Sequence, residues 1–418
     1  MKLPPQNNLK TMKYNRILFI LIFISSLLKY TAMSAAPSPL GEGWGEASLL
    51  SSIEQNNTTL IALRAEAEAR KLDNRTGITL ADPEVGYKRM WEGAEQKGNL
   101  SEFTIGQAFD LSTVLGYRNR AAQSQNLLID EEYRLVRMNI LLEAQLASID
   151  LAYYNALAAE LDRRLAHARH VAEAERRRLD SGDTDVLSYN NVMLSLAALE
   201  AERAQVATEQ GLLAAHLTAL NGGQAIGTLD SLNCMASQEM LESPDVLVNQ
   251  ALAHSPSMAL ARAGREVATT ELALAKAGHL PTLSATYINE RHTIGDRSQG
   301  IAVGVSLPLW ANKNRVSTAR ATLSASQAQE ADAQHQLRSQ LYAGYERVKG
   351  LHHTATLYRT ALDEANNTEL LARAMDEGHI SVLEYLQGVE LYYDYLDRSL
   401  SATRDYLRAL AELEAWKL

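Results

Sequence analysis

The feature that most limits how this sequence can fold is a run of 65 residues, from Leu115 to Leu179, with no proline and a single glycine, Gly116. Alanine, leucine, glutamate and arginine crowd the run, and all four favour helices. At 1.5 Å per residue, one helix over this run would extend on the order of 95 Å. A compact domain does not need such a helix, whereas a coiled coil or a duct across a wide gap does.

The elements around this helix occur twice in the same order. Strands of about ten residues are predicted at 83–92, 100–111, 281–293 and 300–310. Helical hairpins follow each strand pair and are predicted to turn at 180–183 and 377–379, with helical sequence from about 184 to 220 and from about 313 to 376. Shorter helical segments precede the strands, at about 48–75 and at 245–278, the second nicked at Ser255-Pro256.

The letters of the two halves also match at the hairpin turns. Residues 180–189 (DSGDTDVLSY) and 376–385 (DEGHISVLEY) share five identities at a fixed offset of 196. Two markers at one spacing, the strand order and the turn motif, indicate duplication of one structural unit. We therefore divide this part of the chain into a first repeat at 48–223, an irregular connector at 224–243 and a second repeat at 244–418.

The N-terminus has the pattern of an export signal. Basic residues precede an apolar run from Ile17 to Leu28, which is too short for a spanning helix, and small residues follow it. We expect residues 1–36 to be a signal peptide and the Pro- and Gly-rich residues 37–47 to be a flexible mature N-terminus. Beyond the signal, no apolar run is long enough to span a bilayer as a helix, so membrane insertion would require a β-barrel.

The number of strands determines how such a barrel could close. Four strands from one chain cannot close a barrel, and an open sheet edge is not tolerated in lipid. Three copies would supply twelve strands, an even number within the known range. The expected fold is thus an α+β membrane protein, in which a 12-stranded transmembrane β-barrel shared by three copies, with four strands per chain, joins a long α-helical coiled-coil barrel.

Composition and candidate reactive residues argue against several other classes of protein. The net charge of −10 disfavours nucleic acid as a partner, because phosphates require a basic surface. The single cysteine, Cys234, excludes an intramolecular disulfide and a cysteine metal cluster. His167 and His170 have the helical spacing of a metal-binding pair, but no cysteine is near them and we predict no metal site. Paired carboxylates lack a partnering histidine or nucleophile, so we expect neither an enzyme nor a cofactor.

Two motifs, together with the duplicated order, resemble the TolC family of outer-membrane efflux proteins. Residues 306–310 (SLPLW), leading into NKNRVSTARA, are similar to the strand-to-helix junction of that family. The spacing of Arg178, Gly182, Val186 and Leu187 is similar to its periplasmic helical tip. In the second half, Arg373 is one residue too far from Gly378 to fit that pattern, although Val-Leu is kept at 382–383. The resemblance covers about residues 48–418.

The resemblance implies a homotrimeric outer-membrane channel, surrounded by outer-membrane lipid, that extends into the periplasm. It also implies that the protein is not an enzyme. It acts as a passive conduit whose tips meet a periplasmic adaptor and, through it, an inner-membrane pump. The residues expected to dock the adaptor are Arg178, Gly182, Val186, Leu187, Gly378, Val382 and Leu383.

The resemblance also implies a gate near the second tip. Acidic residues just past this turn can ring the closed end of the tube, which makes Glu384 the main candidate, with Ser381 and Asp185 at related positions. Three Glu384 side chains around a narrow pore would repel each other, raise the pKa of the carboxyl groups and attract cations. The alternative for Glu384 is a solvated charge on a helix surface.

A different class of protein also fits long helices in an exported chain. This alternative is a soluble periplasmic coiled-coil adaptor or scaffold, which would act as a binding module. It has no need of two ten-residue strand pairs at matching repeat positions, so the strands distinguish the two hypotheses. An exported hydrolase lacks a catalytic constellation in this sequence.

Overall fold

The computed structural model of the chain describes residues 46–91, 99–226, 242–292, 297–310, 312–364 and 368–418. The predicted signal peptide, most of the predicted flexible N-terminus and most of the predicted connector lie outside the described residues. None of the helices in the described ranges is both long and apolar enough to cross a membrane.

The two repeats have the same series of elements. The first contains α1 (Glu46–Asn56), α2 (Thr58–Asp73), β1 (Glu84–Met90), β2 (Leu100–Asp110), α3 (Leu111–Val114), α4 (Tyr117–Ser181) and α5 (Val186–Leu220). The second contains α6 (Pro244–His254), α7 (Pro256–Ala277), β3 (Thr282–His292), β4 (Arg297–Ser306), α8 (Arg315–Glu364), α9 (Thr368–Asp376) and α10 (Val382–Glu414), which is followed by a 3-10 turn at Ala415–Lys417.

The predicted 65-residue helix is present as α4, but both long helices begin two residues after their predicted starts. The cause is the same in each repeat, because a residue with left-handed backbone precedes the helix: Gly116 with φ 76° and Asn314 with φ 67°. Glycine and asparagine are the residues that adopt this conformation most readily. The two positions are 198 residues apart, so the repeat extends to the detail of the strand-to-helix junction.

The helical segment predicted over about 48–75 consists of two helices, because Asn57 separates α1 from α2. Asn57 is extended, with φ −61° and ψ 118°, and its side chain accepts a hydrogen bond from the Leu60 amide at 3.0 Å. Its Nδ2 also donates to the Leu220 carbonyl at 2.8 Å. Short polar side chains offer the backbone such alternatives to helical bonding. Ser255, at the equivalent position 198 residues later, separates α6 from α7.

Three other boundaries differ from the predictions. The helix after the first tip begins at Val186 instead of 184, because Asp185 is its N-cap. The run predicted from 313 to 376 contains both α8 and α9, with residues 365–367 outside the description. β4 ends at Ser306, before Pro308, which has no amide to donate, and it begins in residues predicted as a turn.

The four strands form a single antiparallel sheet in the order β1-β2-β3-β4. The central pairing joins the repeats, since β2 belongs to the first and β3 to the second, with Ile105 opposite Tyr287. Within the described residues, β1 and β4 each pair on one side only. The sheet therefore has two strand edges that present unpaired amides and carbonyls.

Each repeat has an equivalent hydrophobic core beside its hairpin. In the first, Leu49 and Ile53 of α1 pack on α4 and α5 around the fully buried Leu217. In the second, Leu247 and Ala251 of α6, each 198 residues further on, pack on α8 and α10. The short helices thus cover the hairpins in the same way twice, and α4 also packs against α10, joining the two hairpins.

Candidate functional site

The first helical tip joins α4 to α5 through a turn at Gly182. Gly182 has φ 79°, and the Asp183 amide donates a hydrogen bond back to the Arg178 carbonyl at 2.8 Å. This bond is characteristic of a Schellman cap, which requires a left-handed residue and so favours glycine. Asp185 then caps α5, because its carboxylate accepts a hydrogen bond from the Ser188 amide at 2.7 Å.

The second tip has the same backbone with a different N-cap. Gly378 has φ 74°, and the His379 amide donates to the Ala374 carbonyl at 2.8 Å. Ser381 caps α10 in a reciprocal capping box. Glu384 Oε2 accepts from the Ser381 amide at 2.8 Å and from its hydroxyl at 2.9 Å, while Ser381 Oγ accepts from the Glu384 amide at 3.2 Å.

The three predicted gate residues are therefore all helix caps within one chain. At the offset of 196, Asp185 corresponds to Ser381, and Ser188 corresponds to Glu384. The first tip has its carboxylate at the N-cap and its hydroxyl three residues later, and the second tip has the reverse order. The backbone amide of Ser381, and next its hydroxyl, hold the pKa of the Glu384 carboxyl below its usual value. This direction is the opposite of the rise expected from three copies around a pore, so the cap and the ring would act against each other.

Apolar side chains at the first tip are exposed to solvent. Val186 is 59 % exposed and Leu187 is 71 % exposed, directly after the turn. Val382 and Leu383 occupy the equivalent first two positions of α10, and their side chains lie outside the description. Exposed apolar residues at the end of a long hairpin are a feature of contact surfaces.

Arg178, also predicted for the tip, points back along its own helix. Its guanidinium forms an ion pair with Glu175 at 2.6 Å and is half exposed. Glu175 itself is only 2 % exposed, and its Oε2 has no hydrogen-bond partner among the described residues. Glu175 was not predicted, because its burial depends on the neighbouring helices and one charged residue in a charge-rich helix is ordinarily solvated.

Above the tips, the hairpins of the two repeats are joined by polar contacts that sequence reasoning missed. Arg164 on α4 is 3 % exposed and makes two hydrogen bonds with Asp397 on α10, at 2.6 and 2.9 Å. Its Nε also donates to Glu160 at 3.3 Å, and the guanidinium lies 4.2 Å from the centre of the Tyr393 ring. Burial acts to lower the pKa of Arg164, but the hydrogen bonds and charges of Asp397 and Glu160 outweigh it and leave the pKa raised.

The two histidines with metal-pair spacing have different environments. His167 Nε2 is hydrogen-bonded to the hydroxyl of Tyr385, a buried residue of α10, whereas His170 is exposed. Within the described ranges, no three histidine, cysteine or acidic side chains lie close enough together to hold a metal ion. His167 is instead a second link between the two hairpins.

The sheet has one apolar and one polar face. Pairing places Val85, Ile105, Tyr287 and Ile301 in one row, and alternate residues of each strand extend this apolar face. Most of these side chains are exposed, including Val303 at 74 %. The other face carries small and polar residues, among them Glu84, Lys88, Glu102, Thr104, Thr286, Glu290 and Ser298. A half-buried sheet of a water-soluble protein would not expose its apolar face.

Two long helical hairpins joined to one sheet with an exposed apolar face are a fold that solved outer-membrane proteins also have. The fold is shared with a crystal structure of a membrane protein from Pseudomonas aeruginosa, with a TM-score of 0.73 at 16 % identity over 92 % of this chain and 96 % of that one. It is also shared with the outer membrane protein VceC of Vibrio cholerae, with a TM-score of 0.70 at 17 % identity over 89 % of this chain and 95 % of that one.

Sequence comparison agrees with the fold. The family described as "Outer membrane efflux protein" matches residues 247–416, which lie in the second repeat. The outer membrane efflux protein BepC of Brucella suis is 28 % identical over 229 residues, which make up 50 % of this chain and 47 % of that protein. The alignment thus spans about half the length of this curated relative. The resemblance to the TolC-like outer-membrane efflux proteins is confirmed: residues 247–416 match the model of that family, and the chain shares the fold of a solved outer membrane protein.

The same matches confirm two further predictions at a coarse level. The predicted outer-membrane location is confirmed, and the predicted efflux function is confirmed as a likeness to outer membrane efflux proteins. Members of this family are channels and not enzymes.

Proposed function

We propose that the chain is one subunit of a trimeric outer-membrane channel of a tripartite efflux or export system. The channel is a passive conduit from the periplasm to the exterior, and it works with a periplasmic adaptor and an inner-membrane pump. Residues 1–36 are its export signal. The observation that carries the proposal is the four-stranded sheet, with an apolar face open to its surroundings and a free edge at both β1 and β4.

The duplicated sequence specifies how the free edges would pair. Ile105 and Val303 occupy equivalent positions, 198 residues apart, and Tyr87 and Tyr287 are equivalent within the first strands of the two hairpins. Inside the chain, Ile105 lies opposite Tyr287. If β4 meets β1 of a second copy as β2 meets β3, Val303 of one copy lies opposite Tyr87 of the next. Repetition of this contact around three copies closes a twelve-stranded barrel without a free edge.

Disulfide crosslinking tests this register. In a Cys234→Ser background, we expect Tyr87→Cys and Val303→Cys to crosslink across copies on oxidation, because directly opposed residues of antiparallel strands have Cα atoms about 4.5–5.5 Å apart. The products are covalent dimers and trimers in the outer-membrane fraction. The matched control combines Val303→Cys with Lys88→Cys, since Lys88 is one residue further along and its side chain points to the opposite face.

The outcomes separate the channel from the alternative, a soluble periplasmic coiled-coil adaptor or scaffold. Recovery of the chain as a soluble periplasmic monomer would overturn the channel and favour the adaptor. Crosslinking of the control pair alone would keep the assembly but contradict the register. The exposed apolar face of the sheet favours the channel, because a soluble adaptor would have to cover it.

We infer that the helical tips dock the adaptor. Support comes from the exposure of Val186 and Leu187 beside the turn at Gly182, where two apolar side chains can enter a partner surface. Leu187→Glu should abolish recovery of the adaptor with the purified channel, because a charge would be buried on docking. Leu194→Glu is the matched control, since Leu194 is 69 % exposed and lies two turns along the same helix face. Equal loss in both variants would contradict docking at the tip.

Glu384, with Ser381 and Asp185, remains our candidate for the gate. In a trimer, three Glu384 carboxylates would converge only if the second tips meet at the axis. Glu384→Gln keeps the capping box, because glutamine can make the same hydrogen bond, and removes the charge. If the ring gates cations, this variant lowers cation selectivity of the channel in planar bilayers. Unchanged selectivity would assign Glu384 to the cap alone.

A further inference from the structure

The end of the sheet opposite the long helices carries a row of arginines. Pairing places Arg89, Ser101, Arg291 and Arg297 side by side across the four strands. These residues belong to the apolar face, because they alternate with the polar face in the same way as Val85 and Ile301. All three arginine side chains are exposed.

The row lies at the margin of the apolar band. On β2, the band begins at Phe109 and the arginine row is reached at Ser101, eight residues or about 26 Å along the strand. A strand tilt of about 40° reduces this to a height of about 20 Å, close to the apolar band of about 25 Å that outer-membrane barrels present to lipid. Tyr87 and Phe103 lie in the row just below, beside Asn289 and Gln299, and aromatic side chains of this kind mark a membrane interface.

Carboxylates of the described strand residues do not neutralise the row. Glu102 and Glu290 are the nearest acidic residues along the paired strands, and they face the opposite side of the sheet, where Glu102 pairs with Lys88 at 3.7 Å. Among the described residues, none forms an ion pair with Arg89, Arg291 or Arg297. Three guanidinium groups per chain therefore face outward beside an apolar surface with their donors unused by this part of the chain.

We propose that this arginine row binds phosphate groups of outer-leaflet lipid. The inference rests on the proposed channel, because the long helices must lie in the periplasm for this end of the sheet to face the exterior. The apolar band below the row would contact acyl chains, and the guanidinium groups would meet phosphates at the level of the head groups. Arginine suits this role because its planar fork donates two parallel hydrogen bonds to one phosphate and its positive charge is permanent.

The test measures lipid preference of the purified full-length channel in nanodiscs by native mass spectrometry. The probes are a diphosphorylated lipid A, the same lipid without phosphates, and excess inorganic phosphate as a competitor. We expect the wild type to prefer the diphosphorylated lipid about tenfold, since several exposed ion pairs each contribute little. The triple variant R89Q/R291Q/R297Q should lose this preference. Lys88→Gln is the matched control, because it removes a positive charge one residue from Arg89 on the other face, and it should keep the preference.

Several results would overturn the inference: no preference in the wild type, an unchanged preference in the triple variant, or displacement of the lipid by inorganic phosphate alone. If the triple variant does not assemble, the single variants Arg89→Gln and Arg297→Gln decide, each with an expected reduction of about twofold. Trimers are scored first on unheated gels. Absence of wild-type trimers refutes the channel, whereas trimers without lipid preference refute only the arginine site.

Discussion

Replacing Arg164 with methionine should loosen the contact between the two hairpins of one chain. The change keeps an unbranched apolar stem, removes the guanidinium and strands the carboxylate of Asp397, whereas Glu160 keeps its ion pair with Arg163. Removing one partner of a buried ion pair costs about 3–5 kcal/mol. Asp397 is 33 % exposed, so water solvates the stranded charge in part, and we take about 2–3 kcal/mol as the expected cost.

Hydrogen exchange of the full-length protein measures this cost locally. If exchange is limited by opening of the contact, a cost of about 2–3 kcal/mol accelerates it about 30- to 150-fold. The effect should appear in amides of 160–168 on α4 and of 393–400 on α10. Arg163→Met is the matched control, because Arg163 is 80 % exposed and pairs with the same Glu160 at 3.4 Å. Its exchange should change by less than about threefold.

A second substitution identifies the cause. If the stranded charge is responsible, Asp397→Asn in the Arg164→Met background should restore part of the protection, since it removes that charge. The reasoning is refuted if Arg164→Met and Arg163→Met accelerate exchange equally, or if the acceleration is confined to α4. Either result would mean that the buried pair does not couple the repeats.

Three further results are expected. Gly378→Ala should destabilise the second tip by about 1–2 kcal/mol, as measured by hydrogen exchange. The cause is left-handed backbone strain alone, because an added Cβ meets no atom within 4 Å. Gly211→Ala, inside α5, should instead stabilise its helix by about 0.5–1 kcal/mol. The Glu384 cap should be complete above the unfolded pKa of about 4.3 and be lost as the pH falls through the lowered folded pKa. The protection of amides at the start of α10, relative to their intrinsic exchange rate at each pH, should therefore fall in acid, and Glu384→Gln should abolish this dependence. Leu217→Ala should cost about 2–5 kcal/mol in chemical unfolding because Leu217 is fully buried, whereas Leu194→Ala should cost less than about 0.5 kcal/mol.

The long helices and their turns were predictable because helix breakers act locally. The absence of proline from Leu115 to Leu179 and the glycines at 182 and 378 were enough to predict the hairpins. Asn57 was missed because its side chain competes with the helix only when the Leu220 carbonyl is within reach, which is a tertiary contact. The predicted starts of α4 and α8 were two residues too early, because a left-handed residue at the junction does not change the hydrophobic periodicity of the sequence.

The position of the tips was predictable because the turn glycines act locally, whereas the capping role of the side chains beside them was not predicted. The resemblance to the TolC family pointed to Ser381 and Glu384, and their spacing is that of a capping box, which the functional interpretation did not consider. Arg164 and Glu175 carried no signal at all, because their burial depends on which helix packs against α4. Charge in a helix is ordinarily solvated, so only the fold reveals the exceptions.

The duplication also predicts that the two kinds of helical seam in the proposed trimer are unequal. Within a chain, α4 meets α10 through Arg164 and Asp397. Between copies, the equivalent seam pairs α8 with α5, and at an offset of 196 or 198 the place of Arg164 is taken by Thr360 or Leu362. Ala201 takes the place of Asp397, so this ion pair cannot form between copies. Because both partners are absent there, no charge is stranded, and the seam lacks the buried ion pair that joins the two hairpins within a chain. The two hairpins of one chain should therefore move as a unit, and the tube should loosen first between copies.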